Sequence, residues 1–284
     1  MNDYILEVCV DSVESALAAK AGGATRLELC ANLIIGGTTP GYALFEQVKQ
    51  ETGLPIRVLI RPRFGDFLYT EYEYQQMCAD IRYFADAGAD GVVIGSLNED
   101  GSLNEAQMRG IVESTAGKCG ITLHRAFDVC ADPIACYEKA ADLGIDTILS
   151  SGQEGDALAG SELLRKLVQI SREKNSGTIE EKRYGTTSAF RDASAKCRLE
   201  TDRILPGGPT ILVGAGVKAD NIAEIASATG AHAFHMSGKK ILSSGMRYRN
   251  EHVHMGLDGI SEFEIYRTDE EEIRHAAEIL RSLL

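Results

Sequence analysis

Short apolar runs alternate with longer stretches of helical periodicity along most of the chain. The runs are rich in Val, Ile and Leu, as expected of strands that are buried on both faces. Strands that alternate with helices pair in parallel, and eight such units close a barrel. We therefore predict an α/β fold of the (β/α)8 TIM-barrel type; an open doubly wound sheet is the alternative, although no G-x-G-x-x-G motif follows the first run. The runs cover residues 4–10, 26–31, 56–61, 91–95, 120–127, 147–151, 210–217 and 232–237.

Glycine and capping residues mark where the predicted helices end and begin. Gly-Ala pairs occur at residues 23–24, 88–89 and 230–231, close to the start of three apolar runs. Glycine favours this position because it adopts the left-handed conformation that ends a helix at little steric cost. Thr70, followed by Glu73, has the spacing of a capping box. These signals predict separate helices between the strands.

Two stretches depart from the alternation. Residues 175–206 are polar, have no clear period and lie between the sixth predicted helix and the seventh strand. Helix-to-strand loops lie on the N-terminal face of a barrel, so we expect a flexible insertion or a contact surface there, away from the chemistry. Residues 239–267 follow the eighth strand, on the face that carries active sites, and we expect a loop that can cover the site. We predict one domain over residues 1–284.

The composition restricts the classes of partner. The net formal charge of −13 at pH 7 argues against nonspecific binding to nucleic acid or to anionic membranes. No apolar run approaches the roughly 20 residues that span a bilayer, and the N-terminus has no signal-like apolar core. Seven scattered cysteines without a C-x-x-C motif are typical of free thiols in a reducing compartment. We therefore expect a cytoplasmic protein with no nucleic-acid or membrane partner.

Two of the predicted strands carry a Glu and a Cys two residues apart. Glu7 and Cys9 lie in the first strand, and Glu28 and Cys30 lie in the second. Residues i and i+2 of a strand share a face, so each Glu shares a face with its Cys. A carboxylate in a buried strand is costly unless it is paired, hydrogen-bonded or bound to a metal. We expect nearby cations to keep both carboxylates ionised at a functional site; structural ion pairs inside a packed barrel are the alternative interpretation.

Further polar residues lie near the ends of other predicted strands. Arg61 and Arg63 end the third strand, and His124 and Asp128 share a face at the end of the fifth, with Arg125 on the other face. Because the carboxyl ends of barrel strands meet at one mouth, we predict a site there that combines carboxylates, guanidiniums and imidazoles. The sixth and eighth strands add Ser151, His235 and Ser237.

Glycine-rich turns follow the seventh and eighth predicted strands, at residues 214–216 and 237–240. Backbone N–H groups in these loops form the phosphate site of many barrel enzymes. We predict a phosphate or carboxylate site there, with Gly216 and Ser237 among its residues. Tight turns need glycine in any case, which is the alternative interpretation.

Taken together, these motifs resemble those of the CutC family, the so-called copper homeostasis proteins. The resemblance implies a (β/α)8 barrel, a role in copper tolerance and cytosolic copper handling, and assembly into homodimers or higher homo-oligomers. It also places the two proposed Cu(I) thiols of the family on Cys9 and Cys30. Ala233 departs from the family pattern, in which a Glu is frequent two residues before His235. The matching stretches are EVCVDS at 7–12, ELC at 28–30, GGTTP at 36–40, IRPR at 60–63, DGVV at 90–93, HRAFD at 124–128 and SGMRYRN at 244–250.

Three functions remain open from the sequence. The first is copper handling, since thiolates such as Cys9 and Cys30 suit the soft ion Cu(I). The second is an enzyme that acts on a small anionic or phosphorylated molecule, and the third is a non-catalytic scaffold that binds partners through residues 175–206. In the enzyme, the acid/base groups would be Glu7, Glu28, His124 and Asp128. Its substrate-binding groups would be Arg61, Arg63, Arg125, Ser151, Gly216, His235 and Ser237.

Overall fold

A computed structural model describes residues 4–184, 207–250, 252, 253, 255 and 259–283. Within these ranges the strands are β1 (Ile5–Val10), β2 (Arg26–Leu29), β3 (Ile56–Leu59), β4 (Gly91–Ile94), β5 (Gly120–Leu123), β6 (Thr147–Ser150), β7 (Thr210–Val213), β8 (Ala233–Met236), β9 (Lys239–Ser243) and β10 (Glu264–Thr268). The helices are α1 (Val13–Gly22), α2 (Tyr42–Thr52), α3 (Glu71–Asp86), α4 (Glu105–Ser114), α5 (Pro133–Asp142), α6 (Ser161–Tyr184), α7 (Ala219–Thr229) and α8 (Glu270–Ser282).

Strands β1 to β8 form a closed parallel barrel in sequence order, and β8 pairs with β1. The predicted TIM barrel is therefore confirmed, and the open sheet is wrong. Closure sets the register at the first strand, where Glu7 is paired with Arg26 of β2 on one side and with His235 of β8 on the other. Three polar residues from three adjacent strands thus lie side by side in the barrel wall.

The two faces of β1 have different surroundings, as the alternation predicts. Leu6, Val8 and Val10 are fully buried in the main apolar core between the barrel and its helices. Glu7 and Cys9 lie on the opposite face, which lines the barrel interior. Separate apolar groups lie on this inner face, with Ile5 beside Leu149, Leu212 and Ala233, and Cys9 beside Cys30, Leu59 and Val93.

The predicted helix signals are present. Gly23 and Gly230 follow α1 and α7 with φ of 96° and 70°, values that a residue with a Cβ adopts only with strain. Thr70 and Glu73 form the capping box at the start of α3. The helices begin and end where the sequence places these residues.

Several strands are shorter than the predicted runs, and two boundary differences change the interpretation. Strand β5 ends at Leu123 rather than at residue 127, and residues Arg125–Val129 form a 3-10 turn, so strand alternation does not apply to Arg125 and Asp128. Helix α6 continues to Tyr184, ten residues into the stretch predicted as an insertion. Glu, Lys and Arg in residues 180–183 are good helix formers, which agrees with the longer helix. The rest of the predicted insertion, residues 185–206, lies outside the described residues.

The stretch after β8 is not the simple loop that we predicted. Strands β9 and β10 pair antiparallel, so a two-stranded ribbon connects β8 to α8. All five residues of β9 are exposed, which is why no alternation of apolar and polar residues predicts the strand. In the described part of the chain, no helix is both long and apolar enough to cross a membrane.

Candidate functional site

Glu7 lies at the centre of a buried ion-pair network inside the barrel. Its side chain is completely buried and contacts two partners, Arg26 Nε at 2.5 Å and His235 Nδ1 at 2.9 Å. Burial acts to raise the pKa of Glu7, but the Arg26 charge and the hydrogen bond from His235 lower it to about 2. Glu7 is therefore ionised at neutral pH, as expected from its sequence context.

His235 connects Glu7 to a second carboxylate. Its Nδ1 atom faces Glu7, while its Nε2 atom lies 3.7 Å from Oε2 of Glu28. Burial acts to lower the pKa of His235, but negative charge at Cys9 and Glu28 and the hydrogen bond to Glu7 raise it well above its ordinary value. The carboxylates on β1 and β2 that flank the imidazole thus favour its protonated form.

Cys9, Glu28 and His235 together form a cluster of metal-ligating side chains. One ligand atom from each of the three lies within 4.8 Å of the other two. Cys9 and Glu28 are buried and His235 is nearly so, and the strand register places the first two directly opposite each other. The cluster combines a thiol, a carboxylate and an imidazole, which are the side chains that bind transition metals.

Cys30 lies beside this cluster and is fully buried. Its thiol donates to Oε2 of Glu28 at 3.4 Å. Burial, followed by the Glu28 charge, raises the pKa of the Cys30 thiol well above its ordinary value. Gly37 covers this thiol from the loop after β2, because a Cβ there would lie 3.7 Å from Sγ of Cys30 and 2.7 Å from the Leu59 side chain.

Glu28 does not share the low pKa of Glu7. Burial and the nearby charge of Glu7 raise its pKa, and His235 only partly offsets them. Arg26, the cation that could lower it further, contacts Glu7 instead. The two carboxylates therefore have opposite pKa shifts although their sequence contexts are alike.

Arg61 and His124 meet across the mouth, next to Phe67. The Phe67 ring lies 5.1 Å from Cζ of Arg61 and 4.7 Å from the His124 ring. Burial, together with the Arg61 charge, lowers the pKa of His124 to about 3, so its imidazole is neutral at neutral pH. Arg61 also donates to the carbonyls of Gly36, Gly37 and Gly65, which fixes the loops after β2 and β3.

Arg125, Asp128 and Ser151 form a third group. Asp128 accepts from Arg125 Nε at 2.7 Å, from Ser150 Oγ at 2.6 Å, and from both N and Oγ of Ser151 at 3.0 Å. The second guanidinium nitrogen of Arg125 donates to Ser151 Oγ at 3.0 Å. This carboxylate ties the turn after β5 to the end of β6, and its acceptor positions are already occupied.

Gly216 and Ser237 do not join these groups, and Arg63 lies only at the edge of the Arg61 and His124 group, on the Tyr69 ring. Arg63 turns outward and pairs with Asp66 and Glu73. In the turn after β7, Gly216 has φ of 70° and its carbonyl accepts from Asn221. The phosphate site at Gly216 and Ser237 stays a prediction.

The start of α7 beside this turn already carries a negative group. The Ala219 N–H donates to Oε1 of Glu272 at 2.8 Å, so a side chain of α8 occupies a position that a phosphate would take.

Sequence reasoning missed three residues of the site. Arg26 shares a strand face with Glu28, so the same alternation that singled out Glu28 could have found it. Phe67 and Tyr69 lie in the irregular segment between β3 and α3, where no periodicity predicts which side chains point inward. Although Ala233 replaces the Glu that is frequent in the family, Glu7 supplies His235 with a carboxylate partner from the neighbouring strand.

Comparison with known proteins identifies the family. The CutC family model matches residues 4–179. A CutC family protein from Parabacteroides distasonis is 40% identical over 272 residues, which cover 95% of this chain and 98% of that protein. A human protein named copper homeostasis protein cutC homolog is 37% identical over 284 residues, which cover 100% of this chain and 91% of that protein.

The fold agrees with this result. The crystal structure of a CutC protein from Streptococcus agalactiae has a TM-score of 0.66 and 25% sequence identity, and the match covers 82% of this chain and 98% of that one. The sequence matches extend over the barrel strands that carry the buried Glu, Cys and His side chains. This chain therefore belongs to the CutC family.

Proposed function

We propose that this protein handles copper and binds Cu(I) at the cluster of Cys9, Glu28 and His235. The observation that carries the proposal is the approach of three ligand atoms to within 4.8 Å inside the barrel. The thiolate of Cys9 suits Cu(I), as does the imidazole of His235 once its Nε2 atom has lost its proton, whereas the carboxylate of Glu28 is a hard ligand that Cu(I) does not need. The human relative is named for copper homeostasis, which agrees with this ion.

Cys30 is the second thiol of the proposed site. It packs with Cys9 in one small cluster, and its thiol already contacts Glu28. Two soft donors are sufficient for Cu(I), so the ion would be held by Cys9 together with either His235 or Cys30. Glu28 would then accept the thiol proton of Cys30 or balance the charge of the bound ion.

Competition with a chromophoric Cu(I) chelator tests the proposal. Changing both Cys9 and Cys30 to Ser should weaken Cu(I) binding by more than about 100-fold, since hydroxyl groups are poor ligands for a soft ion. Cys119→Ser is the matched control, because Cys119 is a free thiol outside the cluster. Unchanged Cu(I) affinity in the double variant would rule out the thiol site.

A second candidate function is acid/base catalysis on a small molecule. It is favoured by the opposite pKa shifts of Glu7 and Glu28 on either side of His235, because pairs of groups with separated pKa values are typical of acid/base sites. Glu7 would hold and orient His235, and Glu28 and His235 would exchange protons with the substrate.

A turnover screen tests this second candidate. A pool of small anionic and phosphorylated metabolites is incubated with the protein and analysed by mass spectrometry. Turnover that is lost in Glu28→Gln but kept in the Cys9 and Cys30 double variant would support catalysis over copper binding. Turnover that survives Glu28→Gln would contradict the acid/base role.

A further inference from the structure

Three buried polar atoms at the barrel mouth make no hydrogen bond of good geometry among the described residues. They are Nε of Arg61, Oη of Tyr69 and Nε2 of His124. Each of these side chains is more than nine-tenths buried. An unpartnered buried polar group is costly, so three in one place indicate that something else satisfies them.

The three atoms belong to one cluster rather than to separate sites. Arg61 and His124 both pack on the Phe67 ring. Burial raises the pKa of Tyr69 to about 12, and the Arg61 charge and a hydrogen bond from the Arg61 side chain oppose this rise, which places the phenol oxygen beside the guanidinium. Arg63 packs on the Tyr69 ring, with its Cζ 5.4 Å from the ring centre.

The existing hydrogen bonds determine whether each of the three atoms can act as a donor or as an acceptor. The Nδ1 atom of His124 accepts from the backbone N–H of Ala126 at 3.1 Å, so the ring proton is on Nε2 and this atom is a donor. Nε of Arg61 is a donor with a fixed charge, while its Nη atoms are used by loop carbonyls. The Tyr69 hydroxyl can also donate. The cluster thus offers three donors and one formal positive charge.

We propose that Arg61, Tyr69 and His124 form a subsite for the carboxylate group of a small molecule. A carboxylate has two acceptor oxygens and one negative charge, which match three donors and one cation. A phosphate dianion would bring a second negative charge that the neutral His124 does not balance. Glu73, the nearest carboxylate to Tyr69, is paired with Arg63 at 2.6 Å and does not compete.

The half-buried Phe67 ring packs on both Arg61 and His124, so it is placed to contact the apolar part of the ligand. The subsite lies beside β3 and β5, across the barrel from His235 on β8, so it is distinct from the proposed metal ligands. Its ligand therefore does not depend on copper binding.

Acetate, acetamide and inorganic phosphate are the probes that test the subsite. Binding is followed by the ¹⁵N resonances of the His124 ring and of Arg61 Nε in the full-length protein. Acetate should bind and shift both resonances, and the neutral isostere acetamide should bind at least about tenfold more weakly, since a hydrogen bond to a charged group is worth about 1.5–3 kcal/mol. Equal binding of acetate and acetamide would overturn the proposal, as would phosphate binding more tightly than acetate.

Tyr69→Phe and Tyr4→Phe are matched variants for this test. Each removes a buried hydroxyl that makes no hydrogen bond of good geometry, but Tyr4 lies just before β1, at the opposite end of the barrel. Neither change should impair folding, because no well-formed hydrogen bond is lost. Tyr69→Phe should weaken acetate binding about tenfold, whereas Tyr4→Phe should leave it unchanged. Equal acetate affinity in both variants would show that an internal water, not a ligand, satisfies the three atoms, and the proposal would be wrong.

Discussion

Nδ1 of His235 lies 2.9 Å from Oε1 of Glu7, across the seam where β8 closes the barrel onto β1. The residues are 228 positions apart in the chain, yet they are direct neighbours in the register. This contact fixes the orientation of the imidazole and leaves Nε2 facing Cys9 and Glu28. The chemistry of the mouth therefore depends on the closure of the barrel.

Glu7→Gln should destabilise the protein by about 3–5 kcal/mol, because it leaves the Arg26 charge buried without its partner. Chemical denaturation at neutral pH measures the change in the free energy of unfolding. Glu14→Gln is the control, since Glu14 is largely exposed and lies 3.9 Å from Arg267. Similar stability losses in the two variants would contradict the central role assigned to Glu7.

Stability should fall as the pH is lowered from 6.5 towards 3, because His124 stays neutral in the folded protein. Its pKa is about 3 when folded and 6.5 when exposed, so the unfolded chain binds a proton that the folded one does not. The contribution of His124 to the free energy of unfolding is complete above pH 6.5, and it decreases by at most about 1.4 kcal/mol per pH unit below that value.

His124→Gln should remove this part of the pH dependence. Glu7 does not interfere between pH 4.5 and 6.5, because its pKa of about 2 restricts its own contribution to pH values below 4.5. The free energy of unfolding of the unchanged protein and of the His124→Gln variant is measured at several pH values in that window, and the two slopes are compared. The contribution of His235 has the opposite sign and cancels in the difference between the two proteins. An unchanged slope in the variant would show that His124 is protonated in the folded state.

Gly37→Ala should destabilise the protein more than Gly53→Ala. Both glycines have positive φ, 86° and 62°, so both variants strain the backbone. The new Cβ at residue 37 would also lie 2.7 Å from the Leu59 side chain, whereas nothing lies within 4 Å of one at residue 53. The difference in melting temperature between the two variants measures the effect of the contact with Leu59. Equal melting temperatures would show that Leu59 can move aside.

Asp128→Asn should loosen the turn after β5 and cost about 1.5–3 kcal/mol, because an amide nitrogen would face N–H and O–H donors. Asp100→Asn is the control, because Asp100 is exposed and accepts only from Ser102 among the described contacts. Chemical denaturation measures both variants. An unchanged free energy of unfolding in Asp128→Asn would show that the turn does not need this carboxylate. Asp128 would then be free for the acid/base role predicted from the sequence.

The sequence predicts the barrel well because each strand must be apolar on its helix-facing side. The same alternation places Glu7, Cys9, Glu28 and Cys30 on the inner face. It does not predict the opposite pKa shifts of the two carboxylates, since these depend on which of them Arg26 contacts.

Positions beyond the strand ends are not predictable in this way. Asp128 lies in a 3-10 turn and Tyr69 in an irregular segment, so their contacts depend on loops from distant parts of the chain. Arg61 is an example, because its position depends on carbonyls of Gly36, Gly37 and Gly65. The β9–β10 ribbon was missed for a different reason, since its exposed residues have no burial pattern to detect.

Because Gly37 lies over Cys30, the thiols of Cys9 and Cys30 differ in accessibility and therefore in how fast they react. Cys9 is slightly exposed at the mouth, whereas Cys30 is fully covered. An alkylating reagent or an incoming ion therefore meets Cys9 first and reaches Cys30 only after the loop moves. Modification of the two cysteines should follow two separate rates, the slower of which reports how often the loop after β2 opens.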